Sequence, residues 1–379
     1  MRNKVYITSI SKYMPNAPVS NDDMEACLGT INGTNSKAKL LTLRNNGITQ
    51  RYYALDKEGN VTHTNVQLAA EAVRRVCNRY VGINDIELIA AGTSSPEMLL
   101  PSHGVMIHGE VGGKNAEVVS FTGSCCTGIQ ALKYGWMSLR MRDKNNAVCV
   151  ASERLSAWMR NKYFEGEAEI LMQLEKKPML AFEKEFLRWM LSDGASAVLL
   201  QSYPAENQLS LCVDWVELCS FANITKTCMY AGAEKNAAGD LDGWTSFAEK
   251  EWLERSIFSV KQDTRLLGEN IITLGGRFLK EVIERRRIIW NNIDWFLPHL
   301  SSMYFKSKIE EELQSLGLPI PEEKWFINLP TVGNVASASM FLMLEELFYS
   351  GRLKRGDKIL CMVPESARFS FGFCLLTVY

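Results

Sequence analysis

Histidine is scarce in this chain, with four among 379 residues. Net charge is nearly absent too: 42 basic and 43 acidic side chains leave a formal −1. Without a cationic excess the chain lacks the electrostatic footprint of a nucleic-acid binder. No apolar run comes near the ~20 residues needed to span a bilayer. The apolar part of MRNKVYITSI is shorter than a signal-peptide core and reads as a first strand. The ten cysteines show neither CxxC nor Cys/His spacing of the zinc-site kind, so no metal is expected. Nor do they form a disulfide scaffold, because Cys149, Cys212, Cys361 and Cys374 lie in strand-like apolar runs where thiols act as small hydrophobes. A reducing cytoplasm is the expected compartment.

What is present is repetition. Apolar strand-like runs recur as KVYITSI, IELIAAGTSS, AVCVASE and GASAVLL. A second set follows as LCVDWVEL, IDWFLPHLSS, KILCMVPES and FSFGFCLLTV. Most lack polar alternation, which marks strands covered on both faces. Helical patterns lie between them, for example at 65–81 and 273–290, so an α/β architecture follows. The two sets also match in order. AEVVSFTGSCCTGIQAL pairs with KWFINLPTVGNVASASM, and Val118 to Phe326 gives an offset of 326 − 118 = 208. The Ser-Ser pairs at 94 and 301 differ by 207. One α/β unit is therefore expected twice, in halves 1–205 and 206–379. Residues 154–191 break the repeat and read as a helical cap; residues 226–262 are polar and contain a surface loop at 232–243.

The stretch SFTGSCCTGIQAL places two cysteines where a strand turns into a helix. A thiol attacks as thiolate, favoured by a nearby base or a helix N-terminus. Cys126 precedes the apolar row Ile129, Leu132, Trp136 and Leu139, so it is expected at the helix start, with Cys125 pointing elsewhere. Among the histidines, His63 is expected to be exposed, and His103 and His108 belong to a helix after a Pro-Ser turn. His299 ends a strand, where open α/β sheets place their sites. The register takes Cys126 to Asn334 (126 + 208), so the repeat brings Cys126, His299 and Asn334 to matching strand ends. Taken singly, His299 reads as a satisfied core histidine and Asn334 as a helix cap.

GSCCTG, PHLSS and VGNVASAS together resemble the three signatures of the β-ketoacyl-acyl-carrier-protein synthase III group of thiolase-fold condensing enzymes. The resemblance covers nearly the whole chain and extends to RNNGITQRYY, LLPSHG, LSDGASAVLL and the closing GDKILCMVPESARFSFGFCLLTV. It implies a thiolase-like fold whose two halves form α-β-α-β-α layers. It implies Cys126 as the acyl-accepting nucleophile, Cys125 as a bystander, and His299 and Asn334 as donors to an enolate. The second thioester would be malonyl or β-ketoacyl. The oxyanion of the acylation step would meet the backbone N–H groups of Cys126 and Ala367. Substrates on phosphopantetheine (acyl carrier protein or coenzyme A), no permanently bound cofactor and a homodimer are further implications. Arg285–Arg287 is the candidate basic patch for a carrier protein, against the plainer reading of a solvated helix face.

Two departures from the family pattern matter. The C-terminal loop, usually a glycine run, reads Glu365-Ser366-Ala367-Arg368. Glu365 and Arg368 are then expected close to the pocket, with Glu153 at the matching end of the first half. Each is carried either as a substrate-binding residue or as part of a structural ion pair. Arg44, in RNNGI, is a substrate-binding candidate although the stretch is one residue longer than the family's Arg-x-Gly-Ile. The VPES-x-RF ending resembles the branch that makes dialkylresorcinols or cyclohexanediones. Fatty-acid initiation, acyl transfer to an oxygen or nitrogen acceptor, and a silent scaffold subunit are the alternatives.

Overall fold

The structure, a computed structural model, describes residues 3–31, 33, 37–163 and 186–379. Nine strands form its main sheet: β1 (Tyr6–Tyr13), β2 (Leu88–Thr93), β3 (Glu117–Thr122), β4 (Asn146–Glu153), β5 (Gly194–Gln201), β6 (Leu211–Ser220), β7 (Trp295–Pro298), β8 (Lys358–Glu365) and β9 (Ser370–Val378). Their spatial order is β7-β8-β9-β6-β1-β5-β4-β2-β3. The unalternating apolar runs of the sequence become the strands β2 and β4, every residue of which is buried.

The pairing pattern occurs twice. In one half β2 runs parallel to β4, which pairs antiparallel with β5, and β5 with β1. In the other β7 runs parallel to β8, then β8 to β9 and β9 to β6 are antiparallel. The halves join where Tyr6 and Ile7 face Cys212 and Leu211. Among the described residues, a strand that the pairing of AEVVSF with KWFINL predicts does not form. KWFINLP, the counterpart of β3, makes a single parallel bridge from Trp325 to Phe296. The short helices Glu322–Lys324 and Leu329–Val332 enclose it on either side.

Six helices pack on this frame: α1 (Asn65–Val76), α2 (His103–Val111), α3 (Thr127–Arg140), α4 (Thr264–Arg286), α5 (Tyr304–Ser315) and α6 (Ser339–Tyr349). α1 starts at a full capping box between Thr64 and Gln67, and α4 at Asp263, whose carboxylate accepts the Leu266 N–H. α1 and α2 cover β1, β2, β4 and β5 on one side, and α4 lies on β8 and β9 on the other. Between them run α3 and α6, each touching strands of both halves and each other. Their closeness depends on glycine. A Cβ at Gly128 would collide with the Ser337 carbonyl oxygen, and one at Gly92 would sit 2.5 Å from the Thr127 backbone. The starts of the two central helices are thereby held together, and that is where the site lies. Among the described residues, no helix is long and apolar enough to cross a membrane. Of the expected cap at 154–191, residues 164–185 lie outside the described residues.

Candidate active site

Cys126 is the N-cap residue of α3, one position before the first helical residue, Thr127. Its thiol does not face open space. The side chain is 1% exposed, and Sγ donates to the Val363 carbonyl of β8 at 3.4 Å. Cys125, the expected bystander, is the cysteine that reaches a cavity wall, and it reaches two. Burial and the Glu365 charge push the Cys125 thiol up to about 12, and the same causes lift Cys126 well above its ordinary value.

The first cavity, about 60 Å3, is a narrow apolar slot between α4 and α5. Leu267, Ile271, Leu279, Phe305 and Ile309 line it, and His299 stands at its inner end with Cys125. The second, about 710 Å3, holds Asn334, Ala336 and Ala367 and is bounded by Leu155, Trp158 and Met190. Cys125, Ser301 and Ser366 belong to both walls, so the two spaces meet beside the start of α3.

His299 follows β7 directly, and its backbone N–H is fixed by Met362 O at 2.7 Å. Burial alone pushes its imidazole down to about 4, so the ring is neutral near neutral pH. Its Nδ1 is buried without a hydrogen-bond partner among the described residues. Asn334 is held by three bonds: its Oδ1 accepts Ala336 N–H at 2.9 Å, its N–H reaches Met190 O, and its carbonyl accepts Ser192 N–H. Ala336, at φ +38°, is a non-glycine residue in the left-handed region, a strain of the kind that clusters at functional sites.

The remaining candidates separate. Glu365 turns its carboxylate to the start of α3, where Oε2 accepts the Cys126 N–H at 3.1 Å. Ala367 lines the larger cavity, its carbonyl accepting the Cys228 and Met229 N–H groups. Arg368 points away, exposed, with Nε donating to Thr225 O, because the residue after Ala367 turns outward before β9. Arg44 is exposed on the helix Lys37–Asn46. Glu153 is neither a cavity-facing group nor an ion-pair member; it is fully buried and accepts from Ser94 N, Ser95 Oγ and Ser337 Oγ. In the basic patch, Arg285 and Arg286 both pair with Glu217. Among the described residues, no group of three or more His, Cys, Asp or Glu is placed to hold a metal ion.

The polar segment 226–262 supplies residues that sequence reasoning missed. Its loop is a small hairpin, Ala233–Lys235 with Leu241–Gly243. Around it Tyr230, Trp244, Phe258 and Val260 line the larger cavity. Trp244 and Phe258 stack with Trp252 as an aromatic cluster, rings 5.5–6.2 Å apart. Aromatics within an otherwise polar run were the available signal. Glu97, in the SSPEM stretch after β2, lines the same cavity and pairs with Arg154 at 3.1 Å.

Residues 283–376 match the family model described as 3-Oxoacyl-[acyl-carrier-protein (ACP)] synthase III C terminal. The β-ketoacyl-[acyl-carrier-protein] synthase III of Chlorobaculum tepidum is 22% identical over 370 residues, 97% of this chain and 98% of that protein. Among solved structures, AbyA1, a tetronic acid condensing enzyme, superposes with a TM-score of 0.76 at 17% identity, covering 98% of this chain and 99% of its own. Xanthomonas campestris OleA, solved with bound lauric acid and lauroyl-CoA, reaches 0.74 at 18% identity and full coverage of both chains. In sequence over nearly its whole length, and in fold, the chain is similar to the β-ketoacyl-acyl-carrier-protein synthase III group of condensing enzymes.

Proposed function

We propose that the protein joins an acyl group held on Cys126 to a second, malonyl or β-ketoacyl, thioester by Claisen condensation. The assigned setting is specialised fatty-acid or polyketide metabolism of the dialkylresorcinol or cyclohexanedione type. One observation carries this reading: two cavities converge beside the start of α3, one bearing His299 and the other Asn334. An enzyme that joins two chains needs two spaces meeting at one carbon. The larger cavity has the capacity of a site for a sizeable ligand, a range of roughly 300–1,000 Å3. A relative in fold, OleA, was solved with a twelve-carbon acid and its thioester, which favours long acyl chains over the short primers of fatty-acid initiation.

In the proposed cycle Cys126 takes the acyl group from a phosphopantetheine thioester and releases the carrier thiol. The oxyanion formed on the way is held by the N–H groups of Cys126 and Ala367. The second thioester then presents its carbonyl to His299, as neutral imidazole, and to the Asn334 carboxamide. A malonyl thioester loses its carboxylate as carbon dioxide, and a β-ketoacyl thioester gives up its acidic α-proton, which ends on the Cys126 thiolate that condensation expels. Fixed donors in a dry pocket stabilise the enolate. That carbanion attacks the acyl-cysteine, makes the carbon–carbon bond and frees the thiol. Acyl carrier protein or coenzyme A as donor, no resident cofactor, a homodimer of two-half chains (1–205 and 206–379) and a cytoplasmic location complete the proposal.

The test is intact-protein mass spectrometry with lauroyl-CoA, followed by product analysis after adding malonyl- or β-ketoacyl-carrier protein. The expected result is an acyl adduct on Cys126, absent from Cys126→Ala, and a product with a new carbon–carbon bond. An adduct that moves only to an oxygen or nitrogen acceptor would overturn the condensing role.

A further inference from the structure

The equivalent strands β4 and β8 both end in glutamate, and the two carboxylates cross over. Glu153, from the first half, accepts the Ser337 N–H and hydroxyl at the approach to α6. Glu365, from the second half, accepts the Cys126 N–H at the start of α3. The pseudo-twofold relation makes them counterparts, but their surroundings differ. Glu153 accepts from the hydroxyls of Ser95 and Ser337 and the N–H of Ser94, and its charge acts on the Cys125 thiol, not on Cys126. Glu365 takes the backbone N–H groups of Ser124 and Cys126, with the Ser370 hydroxyl as its third partner. Those N–H groups are the ones a helix start offers to an anion, here a Cys126 thiolate or a thioester oxyanion. They already hold a carboxylate. Meanwhile the Cys126 thiol is tucked onto Val363 O, one residue behind the cavity wall.

We propose that Glu365 is a positioning residue that holds Cys126 in a protected resting state: it occupies the N–H at the start of α3, keeps the thiol protonated against Val363 O, and yields that N–H to the carbonyl of an arriving thioester. The proposal rests on Cys126 being the acyl-accepting thiol. Electrostatics and geometry agree. A thiolate at Cys126 beside ionised Glu365 would place two negative charges in a buried space, so the thiol stays neutral while the carboxylate is in place. The other ionisable groups facing Glu365 are the thiols of Cys125 and Cys126 themselves. Ser124 and Ser370 do not titrate. Substrate carbonyl and carboxylate compete for one donor, so displacement of Glu365 removes the repelling charge in the same event that delivers the electrophile.

The experiment needs no substrate, which separates its failure from failure of the condensing role. Wild type, Glu365→Gln and Glu365→Asp are alkylated with iodoacetamide between pH 6 and 10, and modification of Cys126 is read by peptide mass mapping. Glutamine keeps the size and the acceptor oxygen but removes the charge. Loss of a like charge at this range is worth about one pKa unit or more, about tenfold in thiolate. The expected outcome is alkylation of Cys126 about tenfold faster in Glu365→Gln at pH 7.5, with its midpoint displaced to lower pH, and Glu365→Asp close to wild type. Superimposable profiles for wild type and Glu365→Gln overturn the proposal. So does an equal rise in Glu365→Asp, which would trace the effect to loosened packing and not to charge.

Discussion

One peptide unit separates the cysteine that the family motif selects from the cysteine that lines both cavities. Cys126 carries the helix start and Cys125 carries the wall, and their roles differ accordingly. Cys125→Ala is expected to keep acyl-enzyme formation, since Cys126 and not Cys125 holds the N-cap position of α3, whose N–H groups would face a thioester oxyanion. Cys125→Phe places a ring where the two cavities join, and the acyl adduct from lauroyl-CoA is expected to fall severalfold while shorter chains are less affected. Equal acylation of all chain lengths by Cys125→Phe would show that the chains do not pass this wall. Asn334 belongs to the later step. Asn334→Ala removes one donor to the enolate and is expected to lower condensation by roughly 10²–10³ while leaving acylation of Cys126 intact. Single-turnover acylation alongside steady-state product formation checks that split.

At the scale of elements, the site depends on how closely α3 and α6 begin beside one another. A methyl group at position 128 meets the Ser337 carbonyl oxygen and the Ala151 side chain, and backbone cannot yield as a flexible side chain does. Gly128→Ala is therefore expected to destabilise the fold by about 1–3 kcal/mol, the usual cost of overpacking, and to displace Cys126 from its N-cap position. Urea midpoints read the first effect and the acylation rate the second; a fully active, wild-type-stable variant would sink the explanation. Most elements were legible in the sequence because their signals are local. Uninterrupted apolar runs gave strands covered on both faces, as at β4, and the periodic pattern from residue 65 gave α1. KWFINLP makes only one bridge, between two short flanking helices, which apolarity does not report. The direction of the Cys125 and Cys126 side chains was also hidden, because it depends on the dihedral angles of one turn.

The whole molecule brings together groups that no local window contains. The duplication was readable from the constant offset between the halves, and it led to His299 and Asn334. The crossing of Glu153 and Glu365 was not readable, since both ends of each contact lie in different halves. Nor was the wall at 229–262, where a polar composition masked Trp244 and Phe258. Burial of ionisable groups is another whole-molecule property, and it sets the acid response. His103, bonded through Nε2 to Ser152 Oγ at 2.9 Å, and His299 are both pushed by desolvation from 6.5 to about 4. Between those values the unfolded chain binds protons that the folded chain refuses. Their contribution is thus fully present above 6.5 and lost as pH falls through 4. Asp193, raised by burial from 3.8 to about 6, acts with the opposite sign: its contribution is present below 3.8 and lost as pH rises through 6. The two effects overlap between pH 4 and 6, so the wild-type curve alone does not separate them. His103→Gln does, because it removes one histidine that lies outside the candidate site and leaves Asp193 alone. The stability difference between wild type and this variant is expected to shift by on the order of 3 kcal/mol in the variant's favour as pH is lowered from 7 to 4, at 1.36 kcal/mol per pKa unit. Urea unfolding at a series of pH values measures it, and a difference that stays constant across that range would mean that His103 is not the neutral buried imidazole its surroundings require.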